Sequence, residues 1–194
     1  MKAIYEMLAI ITVAAVTENL LFARAIGVDH ILERTKSYHA IIRLGALNCV
    51  VSFLGGVLAW VFKFALKRYV WWPVFRGPAV LLSISAAYLL LVLLVGTRNL
   101  RSAHSLPVTA AFNGASFGAV LIAIVSRETL LQTIAYCLGC SAGLIIALML
   151  VHSGRERLEL CKVPKSFDGL PITMLYIGIL SLAIYGLIGH QLPT

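Results

Sequence analysis

The chain has 194 residues, 60% of them hydrophobic and 12% charged, with a mean hydropathy of +0.94 and a formal net charge of +8. Ordinary soluble domains are about 25% charged, and a soluble domain of this size cannot hide so much apolar surface, so a soluble globular fold is excluded. A bilayer accommodates it; the basic residues lie between apolar runs and read as topology markers and anionic-lipid contacts, not as a nucleic-acid surface.

A spanning helix needs about 20 mostly apolar residues. Six stretches qualify: 4–28, 39–66, 78–95, 106–125, 130–152 and 170–188. The connections at 29–38, 67–77, 96–105, 126–129 and 153–169 are short and polar, and no soluble domain fits between them. The expected fold is an all-α integral membrane protein of six transmembrane helices, a single domain over 1–194. The first run contains Glu18 and Arg24, lacks a clean small-residue cleavage site and leads into further apolar helices, so it reads as a retained span.

Helix 1 is interrupted by Glu18-Asn19, Arg24 and Gly27. A charged residue inside a membrane is costly and often functional. Two readings of Glu18 stay open: a proton or cation role, or a structural ion pair or hydrogen bond that fixes the helix break. Arg24 is its natural partner, but on a regular helix the two stand about 240° apart, so pairing needs the break or another helix. Helix 2 carries Arg43, which suits snorkelling, and Cys49, which suits packing. Helix 4 is interrupted by Asn113-Gly114 and Gly118.

Helix 5 contains Cys137 and Cys140, a C-x-x-C that puts both thiols on one helical face. This is a weak redox or metal signal, because the motif lies in an apolar span with no second C-x-x-C; small buried apolar residues explain it as well. Cys161 reads as a loop thiol, and His104 and His152 as interfacial. Gly45, Gly55, Gly56, Gly139 and Gly143 suit close helix packing.

The chain reads as two halves, about 1–97 and 98–194. Glu33-Arg34-Thr35 corresponds to Arg127-Glu128-Thr129, and Leu44-Gly45 to Leu138-Gly139. Pro73 through Pro78 corresponds to Pro164 through Pro171. Three helices per half make the repeat inverted, and inverted repeats place a site near the midplane on interrupted helices. The candidate midplane site is Glu18, Asn19, Arg24, Gly27, Asp29, Asn113 and Gly114, with the breaks of helices 1 and 4 facing each other.

These residues resemble the Rnf/Nqr membrane subunits, nearest the RnfA (NqrE-like) type. The resemblance spans essentially the whole chain. It rests on Glu18-Asn19 through Gly27-Val28, on Leu106-Pro107 followed by Asn113-Gly114, and on Arg155-Glu156-Arg157-Leu158 with Val163-Pro164, Phe167 and Gly169. It implies a six-helix inverted-repeat protein within a complex coupling electron transfer from NADH, ferredoxin or quinone to sodium or proton movement. It also implies a homologous partner of opposite orientation, with each member of the pair giving two cysteines to a [2Fe–2S] cluster. Here the two ligand positions hold Asp29 and Gly114. The expectation is a divergent member without its own cluster ligands and with no cofactor in the isolated chain; His30 could replace one ligand in principle.

The remaining expectations concern place and partners. Lysines and arginines number six on the side holding both termini and eight on the other, a bias toward termini outside. The setting is a bacterial or archaeal inner membrane. Partners are a homologous subunit of opposite orientation or an antiparallel homodimer, together with other Rnf/Nqr-like subunits and lipid, and no nucleic acid. The chain shows no nucleotide-binding loop or catalytic triad, so at most it is a non-catalytic subunit of an oxidoreductase. A small inverted-repeat transporter or channel, or an assembly subunit, is the alternative.

Overall fold

A computed structural model describes residues 2–27, 37–95, 108, 110–161, 164 and 166–188. Every regular element among them is helical. In chain order they are α1 (Lys2–Thr12), continued by a π-helical turn (Val13–Thr17), α2 (Leu20–Arg24), α3 (Tyr38–Leu66), α4 (Trp72–Val95), α5 (Gly114–Ser126), α6 (Leu130–Glu159) and α7 (Leu170–Ile188).

Three helices are long and apolar enough to cross a membrane: Tyr38–Leu66, Trp72–Leu93 and Leu130–Leu158. The other apolar helices, Ile4–Thr17, Gly114–Ser126 and Leu170–Gly186, are shorter. The expected boundaries need correction at two places. The third helix begins at Trp72 instead of 78: Pro73 sits in the first turn, where its missing N–H would be unpaired anyway, and the helix carries Pro78 inside it. The fifth continues to Glu159, through residues assigned to a loop. There Gly154 leaves room for the Tyr176 ring of α7, which a Cβ would overlap. In the fourth run Val108, Ala110 and Ala111 are helical before the Asn113 break, and α5 resumes at Gly114.

α3 and α6 pack along each other at the centre of the molecule. α4 and α5 lie against α3, and α1 with its π turn lies against α6. α7 sits at the periphery, touching α2 and α6, and leaves Leu175, Ile179, Leu182 and Tyr185 exposed. The core is filled by Leu44, Val51, Ile84, Val120, Tyr136, Leu144 and Leu148. Glycines permit the closest approach, between α1 and α6. A Cβ on Gly139 would stand 2.7 Å from the Ile11 carbonyl oxygen, and one on Gly143 2.6 Å from that of Ala15. Backbones this close suit a bundle that, within lipid, gains its stability from packing.

Candidate functional site

The site is built around two asparagines, each ending one helical run and starting the next. In the first, the π turn closes with the Glu18 N–H donating to the Val13 carbonyl, 2.9 Å. Asn19 then swings to φ −54°, ψ 122° and caps α2. Its Oδ1 accepts from the N–H groups of Leu21 (3.0 Å) and Phe22 (3.4 Å). Its Nδ2 donates to the carbonyls of Ala15 and Gly143, both at 2.9 Å. One amide therefore seals the break and pins it to α6. The backbone polar groups freed by a break inside a membrane need such partners.

In the second, Asn113 is extended (φ −114°, ψ 155°) and caps α5, its Oδ1 accepting from the N–H groups of Ala115 and Ser116. Ser116 Oγ lies 2.6 Å from the Ala110 carbonyl and 2.8 Å from Asn48 Oδ1, so its single proton serves one of them at a time. Asn48 Nδ2 donates to Ser141 Oγ at 3.3 Å, and Ser141 Oγ donates to the Cys137 carbonyl at 2.9 Å. This buried polar line ties α3, α5 and α6 together beside the break. Asn113 itself is buried, and its Nδ2 has no hydrogen-bond partner among the described residues.

The structure brings the two breaks close together. Ala25 adopts the left-handed region at φ 53° and Gly27 follows at φ +92°, which turns the chain away after α2. A Cβ on Gly27 would stand 2.9 Å from Ala115 Cβ, and Ile26 packs against Gly118. The segment after α2 thus lies across the first turns of α5. Asp29 lies outside the described residues, as does His30.

Glu18 is half-buried beside the Tyr136 hydroxyl of α6, and its charge is felt at the Cys140 thiol one turn further along. Arg24 does not pair with it: the side chain is exposed, and no ion pair joins the two. Tyr136 is fully buried with no hydrogen bond of ordinary geometry to its hydroxyl among the described residues, and the Arg127 guanidinium lies 5.0 Å above its ring. Neither Tyr136 nor Arg127 stood out in the sequence as part of this site. The available signal was Tyr136 one helical turn before Cys140, with Arg127 at the head of the same helix.

The far end of α5 is closed by Lys63, another residue missed in the sequence. Its side chain is 7% exposed, and Nζ donates to the carbonyls of Ile124 (2.8 Å) and Arg127 (2.6 Å). A lysine at a helix C-terminus is favoured by the helix dipole. Glu128 Oε1 stands 3.6 Å from Lys63, and Oε2 accepts from Lys67 at 2.7 Å. The hydrogen bond from Lys67, followed by the charge of Lys63, holds the exposed Glu128 carboxyl below the usual carboxylate range.

The thiols lie apart in their packing. Cys137 is buried on α6, its Sγ 2.9 Å from where a Cβ on Gly56 would stand, so it packs against α3. Cys140, also buried, lies beside Tyr136. Among the described residues no three His, Cys, Asp or Glu side chains gather to hold an ion. Gly114 presents no ligand atom, and Ala115 beside it is packed on Gly27. The described residues therefore do not fit a cluster held by a thiolate at that position.

The family described as "Rnf-Nqr subunit, membrane protein" matches residues 7–190. The chain belongs to this family of membrane subunits. Over 195 residues it is 26% identical to a subunit of the Na(+)-translocating ferredoxin:NAD(+) oxidoreductase complex of Acetobacterium woodii, covering 99% of this chain and 100% of that one. It is 24% identical over 181 residues to a subunit of the proton-translocating ferredoxin:NAD(+) oxidoreductase complex of Clostridium ljungdahlii, covering 91% and 93%. Against a subunit of the ion-translocating oxidoreductase complex of Aeromonas salmonicida the identity is 39% over 77 residues, 40% of either chain.

Proposed function

We propose that this Rnf-Nqr family member is a membrane subunit of an ion-translocating electron-transfer complex, and that it works there without cluster ligands of its own. The observation behind the first part is the family match over residues 7–190, with the Acetobacterium woodii relative aligned over nearly all of both chains. The second part rests on Gly114, which has no side chain, and on Asp29, where the resemblance calls for cysteine. The test is purification of the tagged chain from its native membranes. Flavin- and iron–sulfur-bearing subunits should come with it, and deleting the chain should abolish ion-coupled electron transfer in vesicles. A chain that purifies without redox partners, and whose deletion leaves that coupling intact, would overturn the assignment. Iron and sulfide at cluster stoichiometry in the isolated chain would overturn the second part.

The six runs and the two breaks support an inverted repeat of three spans. Asn19 and Asn113 are separated by the same interval as Gly45 and Gly139, and as Thr35 and Thr129. Each asparagine caps a half-helix through its Oδ1. This duplication suits a homologous partner of opposite orientation or an antiparallel second copy, in a bacterial or archaeal inner membrane with both termini outside. Reporter fusions at the two termini test the topology, and opposite faces would remove it.

Within this reading Glu18, Asn19, Arg24, Gly27, Asp29, Asn113 and Gly114 surround the midplane site, and Glu18 is the coupling carboxylate. A carboxyl at that depth is costly to desolvate and is kept where it binds a proton or cation. Glu18→Gln keeps the shape and removes the charge. A variant that assembles normally but loses ion coupling supports the role; one that couples like the parent refutes it. The missing cysteine at Gly114 favours a second reading, a small transporter, channel or assembly factor on the same scaffold with no redox role. The purification above separates the two.

A further inference from the structure

All three tryptophans of the chain, Trp60, Trp71 and Trp72, lie within one short stretch around the turn from α3 to α4. Trp60 stacks on Phe64 with centroids 5.7 Å apart. Beyond them Leu66, Tyr69, Trp71, Trp72 and Phe75 line an apolar cup of about 250 Å³. The cup is open, and its rim residues are exposed, Trp71 by 68% and Phe75 by 56%. Exposed aromatics at the end of a membrane-length helix belong at the headgroup level.

The charges that the α3–α4 stretch itself carries are all positive, and among the described residues Glu128, between α5 and α6, is the acid that reaches Lys63 and Lys67. Residues 63–78 contain Lys63, Lys67, Arg68 and Arg76 and no acidic residue. Lys63 is committed to the carbonyls of Ile124 and Arg127, and Lys67 to Glu128. Arg68 precedes Tyr69 and Arg76 follows Phe75 in the chain; both are exposed and make no ion pair with any described residue.

We propose that this turn binds one anionic phospholipid, its acyl chain in the aromatic cup and its phosphate between Arg68 and Arg76. An apolar pocket beside two arginines that make no ion pair with any described residue fits an apolar chain attached to an anion. A zwitterionic lipid fills the cup but leaves the two arginines uncompensated. Attraction of about 1 kcal/mol per arginine near an anionic surface corresponds to about fivefold in affinity for each. The proposal is independent of the redox assignment and concerns the opposite end of α3 from Tyr38.

Tryptophan quenching by brominated lipid tests it on the full chain in phosphatidylcholine vesicles, in a Trp60→Phe background where only Trp71 and Trp72 report. At equal mole fraction, bromo-phosphatidylglycerol should be preferred over bromo-phosphatidylcholine by about tenfold or more. Arg68→Gln with Arg76→Gln should bring the two lipids level, while quenching by bromo-phosphatidylcholine persists and shows the turn still in the membrane. Equal quenching in the parent overturns the proposal, as does a preference that survives the double substitution. Absence of quenching by either lipid also overturns it, because the cup is then covered by protein.

Discussion

The breaks at Asn19 and Asn113 use the same cap and differ in what the amide nitrogen does. Asn19 spends its two Nδ2 protons on the carbonyls of Ala15 and Gly143. Asn113 has a buried Nδ2 with no partner among the described residues. The first break is closed and anchored to α6; the second is closed on its acceptor side alone. A break that only has to hold a fold needs no spare donor in a buried place, since an unpaired buried donor costs about 1–3 kcal/mol. The asymmetry makes the α5 break the adaptable half of the proposed site and the α1–α2 break its fixed wall.

The comparison is broken most directly by replacing each amide with a carboxyl of the same shape. Asn19→Asp removes both donors and sets an oxygen against two carbonyls, and should cost about 3 kcal/mol. Asn113→Asp also buries a carboxyl, but it keeps the cap acceptor, sets the charge at a helix N-terminus and removes only a donor without a described partner, so it should cost less than Asn19→Asp. Thermal unfolding of both variants in detergent decides this. Equal losses would mean that the two breaks are energetically alike.

The packing around the two breaks differs in the same sense. Gly143→Ala would bring a Cβ to 2.6 Å from the Ala15 carbonyl oxygen, a backbone atom that has nowhere to go. Overpacking of this kind should cost about 2 kcal/mol. Gly118→Ala at the second break meets Ile26 Cγ2 at 3.3 Å, the end of a side chain that can turn aside, and should cost less than about 1 kcal/mol. The same unfolding measurement ranks them; a Gly118→Ala loss as large as that of Gly143→Ala would remove the distinction.

The two ends of α5 give a smaller contrast. The N-terminal end keeps an unpaired amide, whereas the C-terminal carbonyls hold the buried Lys63 ammonium. Lys63→Met removes two charge-assisted hydrogen bonds but also the cost of burying the ammonium, so the net loss should be about 1.5 kcal/mol. A stabilised variant would show that the ammonium costs more to bury than it returns.

How far the sequence reaches can be judged at these residues. The apolar runs were legible because lipid demands about 20 apolar residues per span, and the defects at Glu18-Asn19 and Asn113-Gly114 stood out against that background. Helix ends were less legible. Composition alone cannot tell that Gly154 admits the Tyr176 ring and lets α6 run to Glu159. Lys63 was invisible as a cap because its partners, the carbonyls of Ile124 and Arg127, are distant in sequence and belong to the backbone, which no residue pattern reports. The neighbours of Glu18 were misjudged for the same reason. Arg24 is near in sequence but exposed, whereas Tyr136 and Cys140 come from α6. That meeting depends on the close approach of α1 to Gly139 and Gly143.

The smallest expected effect concerns the surface cluster that backs Lys63. Glu128 is exposed, and its carboxyl is held below the usual range first by the Lys67 hydrogen bond and then by the Lys63 charge. A carboxyl whose folded pKa is depressed adds stability above its unfolded pKa and loses that contribution as the pH falls through the folded value. The parent should therefore lose thermal stability on acidification through and below the ordinary glutamate range more steeply than Glu128→Gln, and the two curves should converge at the acid end. High salt should shrink the difference at neutral pH, because an exposed pair is screened. Melting temperatures across an acid series at low and high salt measure this. Parallel curves would mean that Lys63 is held by the carbonyls of Ile124 and Arg127 alone. In that case the C-terminal end of α5 is closed by backbone contacts only, and Glu128 contributes nothing to the contrast between the two ends.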